Sequence, residues 1–254
     1  MKNLMKNWAV AIAIAFATTA MASADPLTIS ANLQSVFGES VSYTLGSTTK
    51  STTAGRFNWM RIAENPATPE LEAGSFPLDP IPSGDLFYSF CIDLSETVSI
   101  GGTYTWTVEE DLANGRNSAG YPVLGPVIAG NIASFLGAVF PDIGGTLTTT
   151  NAAALQLAIW EIIYETSGTF DLTSGHFSSS TTAVTSVANG FLATFAAYQG
   201  PAATGLHALN NLGKQDQLIQ IPGNPDTEVP EPGTYALMGA GLLLIGVFRR
   251  KFVR

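Results

Sequence analysis

One cysteine and one glutamine stand out as side chains whose types and surroundings could do chemistry together. Cys91, the only cysteine, lies in a strand-like run from Leu86 to Leu94 (LFYSFCIDL). Gln156 lies in the most apolar helix-like run, Thr150 to Glu165 (TNAAALQLAIWEIIYE). A lone thiol must be buried, joined to another molecule, or used, because no internal disulfide is open to it. An amide buried without partners costs about 1–3 kcal/mol, so Gln156 needs a hydrogen-bonded partner or a chemical fate. The expectation is that these two side chains meet. The bland alternative keeps Cys91 as a small buried hydrophobe and Gln156 as a satisfied core amide.

The elements that must carry the pair follow from periodicity. In the Gln156 segment, Thr150 or Asn151 can accept from the first-turn N–H groups, and Ala152, Leu155, Ile159, Ile162 and Ile163 follow at helical spacing. Only Gln156, Glu161 and Glu165 are strongly polar, which predicts a helix buried over most of its surface. In the Cys91 segment, Leu86, Tyr88, Phe90 and Ile92 face one way and Phe87, Ser89, Cys91 and Asp93 the other. Leu27 to Thr53 reads as short β-like pieces, and FNWMRI from Phe57 to Ile62 as another strand. Ser99 to Val108 reads as a hairpin turning at Gly101-Gly102, with Tyr104, Trp106 and Val108 on one face. The proline-rich stretch from Asn65 to Gly84 is expected to be a long loop. Further helices are predicted on the stripes Ile128–Val139 and Thr182–Tyr198. The class is α+β, an antiparallel β-sheet or sandwich in the front half with about three helices in the back half.

Both ends carry address-like text. Lys2 and Lys6, the apolar core Trp8 to Ala17, and small residues at Ala22 and Ala24 predict a signal peptide over residues 1–24, cut by signal peptidase after Ala24. The body, residues 25–222, is followed by a polar linker, 223–228, and a terminal segment, 229–254. That segment contains Val229-Pro230-Glu231-Pro232, an apolar run from Tyr235 to Phe248, and the basic cluster Arg249-Arg250-Lys251. As a helix the apolar run is roughly 21 Å long against about 30 Å of hydrocarbon, which suits a transient stop in the inner membrane more than a permanent anchor.

Charge and composition narrow the classes further. The formal charge is −9. Six of the eleven basic residues lie in the terminal segments while all twenty acids lie between Asp25 and Glu231, and that balance argues against nucleic acid and anionic lipid as partners. His176, His207 and Cys91 do not make a zinc site, and Glu109-Glu110-Asp111 reads as a solvated run; no metal or cofactor is expected. Phosphate-binding glycine loops and the nucleophile elbow of hydrolases are missing from the text, and carboxylates such as Asp93, Glu161 and Glu165 are scattered, so no enzyme is expected. Both histidines read as surface or loop residues.

Pro230-Glu231-Pro232, the short apolar run and the arginines Arg249 and Arg250 in that order closely resemble the PEP-CTERM sorting signal of Gram-negative bacteria. The resemblance implies recognition by an exosortase near Glu231-Pro232 and removal of the tail. It also implies delivery to the cell surface or extracellular matrix, where biofilm is made.

The body resembles the thioester domains of bacterial surface adhesins. Their aromatic-Cys pair on a strand is matched by Phe90-Cys91, and their Gln-x-Ala-Ile-Trp run by Gln156-Leu157-Ala158-Ile159-Trp160, with Leu155 where that family often has Thr or Ser. The resemblance implies an internal crosslink between Cys91 and Gln156, shielded by Phe90 and Trp160. Surface amines or hydroxyls of protein or polysaccharide would then be the partners. The competing reading is a noncovalent structural or glycan-binding matrix protein without a thioester.

Overall fold

The computed structural model describes residues 28–62, 86–116 and 123–221. The signal-peptide residues Ala22 and Ala24, the proline-rich stretch, the linker, and the sorting-signal residues Pro230, Glu231, Pro232, Arg249 and Arg250 lie outside the described residues. Among the described residues no helix is long and apolar enough to cross a membrane.

Two long strands begin the fold, β1 (Thr28–Leu45) and β2 (Thr48–Arg61). They pair antiparallel around Gly46, whose φ of 60° is the left-handed conformation a tight hairpin requires. Midway, Gly38 and Gly55 stand opposite one another. A Cβ on Gly38 would overlap the Ala54 carbonyl, so the backbones approach here more closely than any side chain permits.

Then come β3 (Leu86–Cys91) and β4 (Thr103–Glu109), followed by a single 3-10 turn at Leu112–Asn114. Three helices follow, α1 (Gly125–Val139), α2 (Thr149–Tyr164) and α3 (Thr182–Ala196), with the short strand β5 (Phe177–Ser179) between the last two. The chain then returns as β6 (Leu206–Asn210) and β7 (Gln217–Gln220). The sheet is antiparallel in the order β2-β3-β7-β6-β4-β1-β5, and because β1 also pairs β2 it closes on itself through six strands, with β5 appended to β1.

The class is therefore α+β, and the front half is strand-rich as its alternation predicts. The expected division into halves is too simple. The back half supplies β5, β6 and β7, and β6 and β7 fill the place between β4 and β3. The expected Ser99–Val108 hairpin is also half right. Gly101 does turn the chain, with φ of 81°, but β4 pairs with β1 and β6, and the segment before the turn is not a strand.

Helix α2 is the centre of the molecule. Thr148, two or three residues before the expected caps, closes its first turn by accepting from the Asn151 N–H at 3.1 Å. The Glu39 carboxylate of the hairpin accepts from the Thr150 hydroxyl and anchors the same end. Every residue from Ala152 to Ile163 is buried, which explains why the helix lacks a polar face: it packs on β1 and β2 on one side and on α1 and α3 on the other.

Candidate functional site: a thiol and a carboxamide at a strand edge

The site is built where β3 outruns its neighbour. Pairing of β2 with β3 ends at Phe57 opposite Ser89, while pairing of β3 with β7 continues to Cys91. Beyond Ser89, the β2 side of β3 has no strand to receive the next N–H and C=O, which belong to Cys91. An amide side chain carries one acceptor and one donor at the spacing of a peptide group, and Gln156 takes that place. Its Oε1 accepts from the Cys91 N–H at 2.8 Å, and its Nε2 donates to the Cys91 C=O at 2.8 Å. The two residues singled out by the sequence are thus in direct contact, through the carboxamide of one and the peptide groups of the other.

The surroundings are dry. Cys91, Gln156 and Phe90 are fully buried and Trp160 is 1 % exposed. The Cys91 thiol donates to the Asp93 carbonyl at 2.8 Å. Burial pushes the thiol well above its ordinary range, and the negative charges of Asp93 and Asp216 act in the same direction. The sulfur is therefore held as a neutral S–H. Trp160, one helical turn after Gln156, has an indole N–H without a hydrogen-bond partner, and its dipole favours a thiolate at Cys91.

Several neighbours of the pair were not foreseen. Tyr164, a further turn along α2, accepts from the Leu94 N–H at 2.9 Å and donates to the Ile92 carbonyl at 3.4 Å, fixing the chain just after the thiol. The signal for it was present as the spacing Gln156, Trp160, Tyr164, a stripe along one helix face. Tyr43, on β1, lies with its ring 5.9 Å from that of Trp160 and 5.7 Å from that of Phe177. Burial raises both tyrosines, and the nearby sulfur of Cys91 adds to it. Together they wall the thiol from a surface cleft.

Two buried carboxyls stand nearby. Asp93, 1 % exposed, accepts from the Ser95 N–H and hydroxyl at 2.7 Å each through Oδ1, while Oδ2 has no partner; burial raises it. Asp216 accepts from the Asn211 N–H at 2.6 Å and is pushed up to about 7 by burial and by the charges of Asp93 and Glu96. Among the described residues no group of His, Cys, Asp and Glu is arranged to hold a metal. His176 is exposed in a loop, as expected, whereas His207 sits within β6 and is only 9 % exposed. Every residue of β6 from His207 to Asn210 is buried, so the strand's place inside the sheet, not the ring's own chemistry, puts it there.

No curated protein matches the chain. Two structures of a streptococcal pilus-presented adhesin, Cpa, are similar to it. One, of a cysteine-to-alanine mutant, is 13% identical over 78% of this chain and 68% of that one, with a TM-score of 0.36. The other, the P1 form, is 14% identical over 79% of this chain and 94% of that one, also with a TM-score of 0.36. Residues 228–251 match the PEP-CTERM protein-sorting motif, the stretch holding Pro230-Glu231-Pro232, the apolar run and Arg249-Arg250. The chain accordingly carries an exosortase sorting signal, which implies export, processing by an exosortase and sorting to the surface of a Gram-negative cell.

Proposed function

We propose that this protein is a surface or matrix adhesin that attaches covalently through an internal thioester between Cys91 and Gln156. The observation that carries the reading is the pair of 2.8 Å hydrogen bonds between the Gln156 carboxamide and the peptide groups of Cys91, inside a dry core. They hold the amide against the residue that bears the thiol, as an intramolecular reaction requires.

The bond changes balance without a co-reactant. The Cys91 sulfur attacks the Gln156 amide carbon, the C–S bond forms, the C–N bond breaks, and the thiol proton leaves with the nitrogen as ammonia. As the carbon becomes tetrahedral its oxygen gains charge, and the Cys91 N–H already donates to that oxygen. The neutral S–H slows the attack, and the indole dipole of Trp160 offsets part of that penalty. Phe90 and Trp160 exclude water from the product. An amine or hydroxyl of protein or polysaccharide then attacks the acyl carbon, forming an amide or ester and returning the proton to sulfur.

Intact mass of protein exported by its native host tests the reading. The expected mass is one ammonia below that of the processed sequence, and methylamine adds to it while exposing one thiol. A full mass, with Cys91 alkylated once the chain is unfolded, overturns the crosslink. The chain would then be a noncovalent structural or glycan-binding matrix component, still carrying its sorting signal.

A further inference from the structure

A cleft of about 540 Å³ opens on the far side of the Tyr43–Tyr164 wall. The tip of the β1–β2 hairpin, the chain after β3, the end of α2 and the loop before β5 all contribute to it. Its size lies within the range of small-ligand sites, about 300–1,000 Å³. Its chemistry differs from that of the rest of the chain. Lys50 and His176 are its basic lining groups, and no lining residue is a carboxylate, although acids outnumber basic residues twenty to eleven over the whole sequence. Asp93, Glu96 and Glu165 adjoin lining residues in sequence without lining the cleft, and Glu165 has both oxygens engaged by backbone. Its Oε1 accepts from the Thr166 and Ser167 N–H groups, and its Oε2 from those of His176 and Phe177. Apolar walls from Leu45, Leu94 and Ile163 alternate with the hydroxyls of Thr48, Ser95 and Thr166.

We infer that this cleft binds an acidic polysaccharide, one whose sugar rings carry carboxylates. Sugar rings present apolar C–H faces, suited to tyrosine and leucine walls, and hydroxyl edges, suited to Ser and Thr. The carboxylates are drawn to Lys50 and repelled by the acidic surface elsewhere, so charge selects the cleft. A lysine ammonium of a protein partner would enter against Lys50. The inference deepens the proposed function and, for attachment, rests on it, by naming the class of polymer held beside the site. Binding itself does not require the crosslink.

The test separates the two. In the otherwise complete Cys91→Ala protein no thioester can form, so calorimetry with a galacturonate pentamer reads the cleft alone. Binding is expected, weakening as salt is raised. Lys50→Glu in the same background is expected to weaken it by about tenfold or more. Lys50 is an exposed strand residue near the hairpin tip, and an unchanged circular dichroism spectrum checks that the fold survives. No binding, equal binding by the Lys50→Glu protein, or equal binding of cellopentaose or of a glutamate pentapeptide overturns the inference. Methylamine addition to the unsubstituted protein decides the thioester separately, whatever the pentamer does.

Discussion

Gln156 completes the open edge of β3 by bonding to the backbone of Cys91 at both ends, so the link between these residues does not depend on the cysteine side chain. That asymmetry gives unequal consequences. Gln156→Ala leaves a buried N–H and a buried C=O unsatisfied at Cys91 and is expected to lower stability by about 2–5 kcal/mol. Cys91→Ala keeps both bonds and loses only a small buried group, so its cost is about 1 kcal/mol. Urea unfolding of both variants, compared with the unsubstituted protein, checks the order. Equal losses would mean that the sulfur, not the amide, holds the edge.

The contact between Cys91 and Gln156 was legible because each partner sits on an element with a strong period. The run from Ala152 to Ile163 could only be a buried helix, and the LFYSFC alternation fixed which residues share the thiol's face. The missed strands show where that reasoning fails. β6 and β7 are five and four residues long and contain His207, Asn210, Gln217 and Gln220. Gln217 is buried because its Oε1 accepts from the Ser89 hydroxyl at 2.8 Å, and Ser89 in turn accepts from the Trp59 indole at 2.7 Å. Polar residues satisfied by one another inside a closed sheet look like surface in a sequence. The 18-residue β1 was read as shorter pieces because a register shift between Leu33 and Ser35 breaks its alternation, and Gly38 interrupts it again.

The Tyr164 hydroxyl gives a local test of the wall beside the thiol. Tyr164→Phe keeps the ring but removes the acceptor for the Leu94 N–H, with an expected cost of about 1–2 kcal/mol. Hydrogen exchange at the Leu94 amide should accelerate by more than the global change accounts for. On the proposed thioester reading, methylamine should also open the crosslink faster, because residues 92–94 are freed beside it. An unchanged exchange rate at Leu94 would remove Tyr164 as the tether of that segment.

Gly38 faces Gly55 across the hairpin, and the space between them is filled by backbone. Gly38→Ala must push its Cβ into the Ala54 carbonyl and Gly55 Cα, which can yield only if β1 and β2 separate. Overpacking ordinarily costs about 1–3 kcal/mol, and a clash with backbone belongs at the upper end. A melting temperature within a degree or so of the parent would show that the two strands do not meet this closely.

Stability should fall as pH rises from about 5 to 8, contrary to the usual behaviour of carboxylates in a folded protein. Burial raises Glu161 to about 8 and Asp216 to about 7, and in both cases it outweighs the backbone N–H bonds that oppose it. Glu161 is fully buried, its Oε1 accepts from the Asp171 N–H at 2.8 Å, and its Oε2 has no partner. Between the unfolded and folded values the native state holds more protons than the unfolded chain, so each unit of rising pH favours unfolding. The loss begins within the ordinary carboxyl range and is complete once pH passes about 8. Glu165 does not offset it, because four backbone N–H groups draw its carboxyl down to about 2 against the pull of burial, and its contribution is lost only in acid. Chemical denaturation at pH 5 and pH 8 measures the slope, and Glu161→Gln should flatten it while raising stability at pH 8. A parent protein more stable at pH 8 than at pH 5 would mean that these two carboxyls are charged in the fold.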